Sequence, residues 1–212
     1  MQIPTGNHPL LELAVVRAHL PAPLGELASP PGLLASLALG ATSPFAEDPE
    51  QREAVRQAVR ALLRVGGYKP TGRGKPASEY LVGRAAELGA VPSINPAVDA
   101  CNGASLASGL PISVVDADRL VGEFLVRLGA EGESYVFNAS GHSIDLAGLA
   151  VLCDEVGPAA NAVKDSERTK TSAQSRQLLA IVWGTQALPG RAARVGAHFA
   201  DLLRLVGAEV DP

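Results

Sequence analysis

The sequence predicts an α+β fold in which a mixed β-sheet is flanked by helices. Helix signals gather between residues 48 and 109, whereas short β-branched runs follow one another from residue 112 to residue 185. An amphipathic pattern from Gly190 to Val206 then predicts a C-terminal helix. Because helices and strands are segregated along the chain, the pattern favours α+β over a doubly wound fold.

The N-terminal part is predicted to contain one strand and one long helix. Leu11 to His19 is apolar and β-branched enough for a strand. Residues 29–46, which contain Pro, Gly and Ser, allow only a short helix around Leu33–Leu39. The capping box Asp48-Pro49-Glu50-Gln51 predicts the start of a helix that runs to about Val65.

The middle of the chain is predicted to form two helices followed by a strand. The first helix should run from about Ala77 to Leu88. The second should begin after the cap residue Asn95 and end at Gly109, which suits a left-handed residue. A β-branched run from Ile112 to Asp116 then predicts a strand.

The remaining strands are expected in the second half of the chain. They are predicted at Glu123–Leu128, Tyr135–Asn138, Ala150–Asp154 and Gln177–Thr185. Residues 139–149 and 157–168 are expected to be connecting loops. The last strand is apolar almost throughout, which is typical of a strand buried on both faces.

Length and composition predict one domain built in three parts. These are a strand and a basic helix in residues 1–74, a pocket-forming core in 75–185 and a C-terminal helix in 186–212. Since 47% of the residues are hydrophobic but only 4% are aromatic, the core must be built from Ala, Leu and Val. No segment has the ~20 uninterrupted apolar residues of a membrane span, so no membrane partner is expected.

The cysteines and the N-terminus favour a cytoplasmic protein. The first residues lack the basic start of a secretory signal. Cys101 and Cys153 fall in a predicted helix and a predicted strand, which favours buried thiols over a disulfide. No Cys or His pair has ligand spacing, so neither a metal nor another cofactor is expected.

A basic segment stands out in a chain whose net charge is −4. Residues 50–75 contain seven basic residues against two acidic ones, a local charge of +5. Four arginines stand four residues apart on the predicted helix and should lie along one flank, where like charges repel: Arg52, Arg56, Arg60 and Arg64. Two interpretations stay open, salt bridges within the molecule or contacts to RNA phosphates.

Specific residues between 98 and 171 carry a family resemblance. They are Val98, Asp99, Asn102, Leu106, Gly109, Pro111, Asp116, Leu120, Gly122, Arg127, Gly132, Glu133, Asp154, Ser166, Glu167 and Thr171. The sequence resembles, over roughly residues 75–185, the editing domain formed by the third and fourth B modules of the bacterial phenylalanyl-tRNA synthetase beta subunit. Its total length is similar to that of free-standing relatives of that domain. The resemblance implies an editing-domain-like fold.

The resemblance also implies a pocket for the amino acid of an aminoacylated tRNA. It places Glu167 in that pocket and Asn102 on its wall, and with Ser113 these are the candidate catalytic residues. The candidate substrate-binding residues are Cys101, Asp116, Ser166, Arg168 and Thr169. From the residues alone, Glu167 could instead pair with a cation in a solvated loop, and Asn102 could serve packing.

Three departures from the family pattern bear on substrate preference. Ser113 stands where the synthetase domains carry His, and Val163-Lys164-Asp165 replaces a Gly-Gly pair. Cys101 stands where those domains usually have Thr. A pocket without these polar groups is expected to prefer a small or aliphatic amino acid to tyrosine.

The favoured interpretation is a deacylase that acts in trans and hydrolyses the ester of a mischarged tRNA. An aminoacyl ester is already activated, so a pocket, positioned polar groups and an oriented water are enough for hydrolysis. The candidate tRNA-binding residues are Arg52, Arg56, Arg60, Arg64, Lys75 and Lys170. The alternatives are a non-catalytic module that binds tRNA or an amino acid, and a scaffold for a synthetase. No DNA partner is expected.

Overall fold

The computed structural model describes residues 3–6, 8–45 and 48–211. The helices are α1 (Pro31–Ala35), α2 (Pro49–Arg64), α3 (Ala77–Leu88), α4 (Pro96–Ser108) and α5 (Arg191–Arg204). The strands are β1 (Leu11–His19), β2 (Ile112–Asp116), β3 (Leu125–Leu128), β4 (Ser134–Val136), β5 (Ser143–Asp145), β6 (Ala150–Asp154), β7 (Gly157–Asn161), β8 (Gln177–Thr185) and β9 (Glu209–Val210). Short 3-10 turns lie at Leu24–Glu26, Gly72–Gly74 and Ala117–Arg119.

A four-stranded antiparallel sheet carries the main core. Its strand order is β2-β8-β1-β9, so the first strand of the chain pairs with strands from its end. In β8 every residue after Gln177 is buried, and Trp183 is completely so. Helix α5 packs on β1 and β8, while α4 packs on β2. The apolar run of β8 therefore lies where both of its faces are covered.

Two smaller sheets follow in the second half of the chain. Strands β3, β6 and β7 form one of them, and β4 and β5 form a separate hairpin. All of these ladders are antiparallel as well. Parallel pairing is confined, in the described part of the chain, to isolated bridges at Thr5–Val126 and Gly129–Ala147.

The helices follow from their capping and apolar patterns. In α2, Val55, Val59 and Leu62 recur at helical spacing and are buried, and the capping box of Asp48 and Gln51 is formed. Helix α4 is rich in small residues and is buried on most of its surface, because it lies among α1, α3, α5 and β2. No helix among the described residues is long and apolar enough to cross a membrane.

The predicted α+β class is confirmed, although the strands form three antiparallel sheets rather than one mixed sheet. β1, β2, β6, β8 and α3 have the predicted bounds. The prediction of loops at 139–149 and 157–168 was wrong, because β5 lies in the first segment and β7 in the second. Strand β9 was not predicted.

The other boundaries differ by a few residues. The strand expected from Glu123 begins at Leu125, and the strand expected at Tyr135–Asn138 is β4, which ends at Val136. Helix α1 covers five residues and ends before the predicted Leu39. The bounds of β3 are those of its ladder to β6, in which Leu125–Leu128 pairs with Ala150–Cys153.

Candidate functional site

A cleft of about 850 Å³ opens between the α3–α4 pair and the β4–β5 hairpin. Its wall is mostly apolar, with Leu81 from α3 and Ile112 from β2 beside Val163. The loop of residues 68–76 supplies Tyr68 and Arg73 on one side. The hairpin supplies Phe137 and His142 on the other, together with Ile144. A cleft of this size and character is suited to a small molecule or to the end of a larger one.

Asn102 is the predicted catalytic residue that lines this cleft. It lies on α4, it is partly exposed, and its side-chain amide makes no hydrogen bond to another residue in the part of the chain that the structure describes. An amide has two donors and an acceptor that need partners. Asn102 is therefore free to bond a ligand in the cleft.

The N-terminal end of α4 is held firmly, which fixes where Asn102 lies. The Asn95 side chain caps the helix by accepting from the backbone N–H of Val98 at 3.0 Å. Asp99 is fully buried and accepts from the hydroxyls of Ser29 at 2.6 Å and Ser93 at 2.5 Å, and from a backbone N–H at 2.8 Å. A buried carboxylate with three donors is satisfied and has a structural role.

Ser113 lies beneath the cleft and not on its surface. Its exposure is 1%, and its hydroxyl donates to Asp165 at 2.6 Å and accepts from the indole N–H of Trp183 at 2.9 Å. Burial raises the pKa of Asp165 to about 7, although the Ser113 hydroxyl, the Asn161 backbone and Lys170 each act to lower it. A polar cluster is thus buried directly behind Ile112 and Val163.

Two more groups complete the cluster around Asp165. The Tyr135 hydroxyl donates to the carbonyl of Lys164 at 2.5 Å and accepts from the Asn161 amide at 2.6 Å. Burial, reinforced by Asp165, raises the pKa of both the Tyr135 hydroxyl and the Cys101 thiol. Cys101 is free, buried and therefore a neutral thiol, which is a poor nucleophile.

Glu167 lies outside the cleft. With Ser166 and Arg168 it lines a separate depression of about 330 Å³, which shares no residue with the cleft. Its carboxylate is 3.3 Å from the ammonium group of Lys170, and both side chains are about 40% exposed. Lys170 also donates to the carbonyl of Phe137. The catalytic role that the resemblance implies for Glu167 stays a prediction.

The predicted substrate-binding residues near Glu167 make internal contacts. Arg168 pairs with Asp154 through two bonds of 2.9 Å, and this carboxylate is fully buried. The Thr169 hydroxyl is buried and donates to the carbonyl of Ala159 at 2.8 Å. Ser166 is buried as well. These residues fix the course of the chain between β7 and β8.

Asp116 also makes internal contacts. It accepts from the hydroxyl of Ser175 at 2.6 Å and from the backbone N–H of Asp118 at 3.1 Å, and Arg119 lies 3.6 Å from it. Its side chain is 7% exposed. These contacts join the end of β2 to the segment before β8, which agrees with a structural role.

Two of the arginines of α2 form ion pairs with carboxylates of α2 and α3. Arg60 forms a two-bond ion pair with Glu79 of α3, at 2.6 and 2.7 Å. Arg56 pairs with Glu53 in the same way, at 2.5 and 2.7 Å. Arg64 is exposed. For Arg56 and Arg60, the interpretation as salt bridges within the molecule therefore holds.

The other candidate RNA-binding residues lie apart from Arg56 and Arg60. Arg52 is exposed at the first turn of α2, and Lys75 is half-buried in the loop before α3. Lys170 lies beside the cleft, through its bond to Phe137. Three charged residues at or behind the cleft were not predicted as site residues: Arg73, Lys164 and Asp165. Lys164 and Asp165 stand where the family pattern has a Gly-Gly pair and at the start of a polar stretch, so the signal was present in the sequence.

Comparisons with known proteins gave a similar solved structure and a matching family model. The structure is similar to that of an N-terminal fragment of the phenylalanyl-tRNA synthetase beta subunit from Pyrococcus horikoshii, with a TM-score of 0.49 and 8% identity. The likeness covers 99% of this chain and 52% of that one, so the chain spans about half the length of the fragment. No curated protein sequence matches.

The family model of the B3/4 domain matches residues 61–198, which is more than half of the chain. This match includes the cleft, the buried polar cluster and the stretch around Glu167. The predicted relationship to the paired third and fourth B modules is therefore confirmed by the family model alone, and the chain belongs to the B3/4 domain family.

Proposed function

We propose that the protein is an aminoacyl-tRNA deacylase that acts in trans and hydrolyses the ester of a mischarged tRNA. The observation that carries the proposal is the unbonded amide of Asn102 on the wall of a mostly apolar cleft. In a member of the B3/4 family, such a cleft suits an amino-acid side chain with a polar ester beside it. The aminoacylated end of tRNA is the proposed partner, and the cytoplasm the proposed location.

In the proposed reaction, water adds to the ester carbonyl carbon and the bond to the ribose oxygen breaks. The free amino acid and the ribose hydroxyl are the products. Negative charge develops on the carbonyl oxygen as water adds, and an N–H of Asn102 would stabilise it. Leu81, Ile112 and Val163 would hold the side chain of the amino acid by burying it.

Ser113 and Glu167 are proposed to act through other residues. Ser113 supports the cleft wall, because its neighbour Ile112 lines the cleft while its own hydroxyl is bonded to Asp165 and Trp183. Glu167 holds Lys170, which in turn bonds the hairpin carbonyl of Phe137. Both are positioning residues in this proposal.

The proposed substrates carry a small or aliphatic amino acid. The wall residues Leu81, Ile112 and Val163 are aliphatic, and Ser113 is engaged internally. A phenol would leave its hydroxyl without a partner on such a wall, at a cost of roughly 1–3 kcal/mol. Alanyl-, seryl- and valyl-tRNA are therefore expected to be better substrates than tyrosyl-tRNA.

A second candidate function is a non-catalytic module that binds tRNA or an amino acid. The observation in its favour is that Ser113 and Glu167, two of the three predicted catalytic residues, do not line the cleft. Binding needs only the apolar wall and the Asn102 amide. The two functions differ in a single outcome, which is whether the ester survives.

The test is deacylation of a panel of mischarged tRNAs by the purified protein, with Asn102→Ala and the isosteric Asn102→Asp beside it. We expect the parent to release the amino acid, and both variants to lose roughly tenfold to a hundredfold in rate, because neither can donate to the developing oxyanion. Both should keep the melting temperature of the parent. A parent that binds the panel without accelerating hydrolysis would establish the binding module instead.

A further inference from the structure

The cleft mouth carries positive charge that is not neutralised within the molecule. Arg73 and Lys164 line it, and neither forms an ion pair or a hydrogen bond through its charged group among the described residues. The contrast with Arg56 and Arg60 is direct, since both of these bond carboxylates. In a chain of net charge −4, two unpaired cations at one opening form a local anion-attracting surface.

The cations at this opening also act on one another. Burial lowers the pKa of Lys164, and the nearby charges of Arg73 and Lys170 lower it further. Asp145 is the carboxylate on the same lining, and it accepts from the backbone N–H of Ala147 at 2.9 Å without pairing with either cation. Like charges held close together repel one another, and a bound anionic ligand would relieve this repulsion.

Aromatic rings stand beside these cations. The ammonium group of Lys164 lies 3.9 Å from the centre of the Phe137 ring, and the exposed His142 ring stacks on Phe137 at 6.2 Å. Tyr80 is exposed on the opposite side and donates to the carbonyl of Gly72, which holds the turn carrying Arg73. Cations interleaved with exposed rings suit phosphates joined to bases that can stack.

We propose that the cleft mouth is a binding site for the single-stranded 3′ end of an RNA, with Arg73 and Lys164 on its phosphates and His142 and Tyr80 against its bases. This inference rests on the proposed function for the identity of the RNA, but it concerns binding alone. It also assigns the RNA contact to the cleft mouth and not to Arg56 and Arg60, which were predicted as tRNA-binding residues. The terminal ribose would then lie at the entrance, with the cleft wall beyond it.

The experiment measures the binding of an RNA stem-loop that carries no amino acid and has a four-nucleotide single-stranded 3′ extension, at several salt concentrations. Each phosphate contact to a single strand contributes about 0.7 to the slope of log affinity against log salt. The double variant Arg73→Gln/Lys164→Gln should therefore flatten the slope by about 1.4. Arg56→Gln/Arg60→Gln, which changes the net charge equally, should leave the slope unchanged. A blunt stem-loop should bind the parent at least tenfold more weakly.

Three results would overturn the inference: an unchanged slope in the cleft variant, a flattened slope in the α2 variant, or equal binding of the blunt and extended RNAs. Arg73→Gln alone is a second variant, since this side chain is exposed and bonds nothing among the described residues, and it should flatten the slope by about 0.7. Because the RNA in this test carries no ester, its binding is measured independently of hydrolysis. Binding of this RNA by a protein that does not deacylate mischarged tRNA would reject the deacylase and leave this inference intact. If Arg73→Gln/Lys164→Gln instead hydrolyses mischarged tRNA with the KM of the parent, the deacylase stands and this inference is rejected.

Discussion

Asp165 is a carboxyl group whose surroundings disfavour its ionised form. Its pKa of about 7 arises from burial, and it faces Ser113, the Asn161 backbone, Lys170, Cys101 and Tyr135. The folded protein therefore holds a proton that the unfolded chain releases near the ordinary pKa of 3.8. Between these two values the folded state binds more protons, so stability falls as the pH rises from about 4 to about 7 and is constant above that.

Asp165→Asn should remove this dependence. The amide keeps the shape and can accept from Ser113, but it has no proton to lose. We expect the variant to gain roughly 1–3 kcal/mol relative to the parent between pH 5 and pH 8, measured by urea unfolding at both values. Asp118→Asn, at an exposed position, is the control and should gain nothing. A parent–variant difference that is the same at both pH values would contradict the prediction.

Glu167→Gln separates a positioning role from contact with the ester. The carboxylate is about 40% exposed and pairs with Lys170, so its loss should cost less than about 1 kcal/mol of stability. Because Lys170 keeps its bond to Phe137, we expect the deacylation rate to stay within about threefold of the parent. A tenfold or greater loss of rate with unchanged RNA affinity would instead place Glu167 at the ester, as the resemblance implies.

Individual residues of the site were predictable where the local pattern decides their position. Asn102 follows from a helix whose two ends are marked in the sequence, and it does line the cleft. Ser113 follows equally from the strand, but its side chain is buried because the neighbouring Ile112 takes the cleft-facing position. The Asp165 contact joins residues 52 apart in the chain, and no local spacing specifies such a pair.

At the scale of elements, capping signals located the helices well. The capping box of α2, the Asn95 cap of α4 and the left-handed Gly109 after α4 are all formed as the sequence predicted. Each signal acts over four residues or fewer, so it does not depend on the rest of the fold.

The strands were predictable only where their residues favour extension. β7 has the sequence GPAAN, in which neither glycine nor proline favours a strand, yet it pairs with β6 across a bulge at Leu152–Cys153. β9 has two residues and exists because it pairs with Ala18 and His19 of β1. In both strands tertiary pairing outweighs the local preference, and a pattern read along the chain cannot supply it.

The arginine stripe of α2 illustrates the same limit. Its spacing predicts a charged flank, and the helix has one. Whether the flank contacts RNA or the molecule itself depends on α3, which places Glu79 against Arg60 and near Arg56. These contacts join α2 to α3 and so bear on the wall of the cleft.

At the scale of the whole molecule, the segment after α2 and the second half of the chain meet at two glycines. A Cβ on Gly66, after α2, would lie 2.3 Å from the carbonyl oxygen of Gly148, between β5 and β6. A Cβ on Gly148 would lie 2.1 Å from the carbonyl oxygen of Gly66. No side chain fits between backbones this close. The contact lies near Tyr68 and Asp145, which border opposite sides of the cleft.

Gly148→Ala should therefore separate the two halves of the cleft, and Gly132→Ala is its matched control. Both glycines have a positive φ, 72° and 77°, so each substitution carries the left-handed cost of about 1–2 kcal/mol. Only Gly148 also meets backbone, whereas a Cβ on Gly132 has nothing within 4 Å. We expect Gly148→Ala to lose about 1–3 kcal/mol more in urea unfolding than the control, because backbone must move to admit the methyl group.

Gly148→Ala should also weaken binding of the extended RNA stem-loop, since Arg73 and the hairpin would no longer face each other at the same distance. Equal stability losses in the two variants, or RNA affinity unaltered in Gly148→Ala, would mean that this contact does not set the width of the cleft.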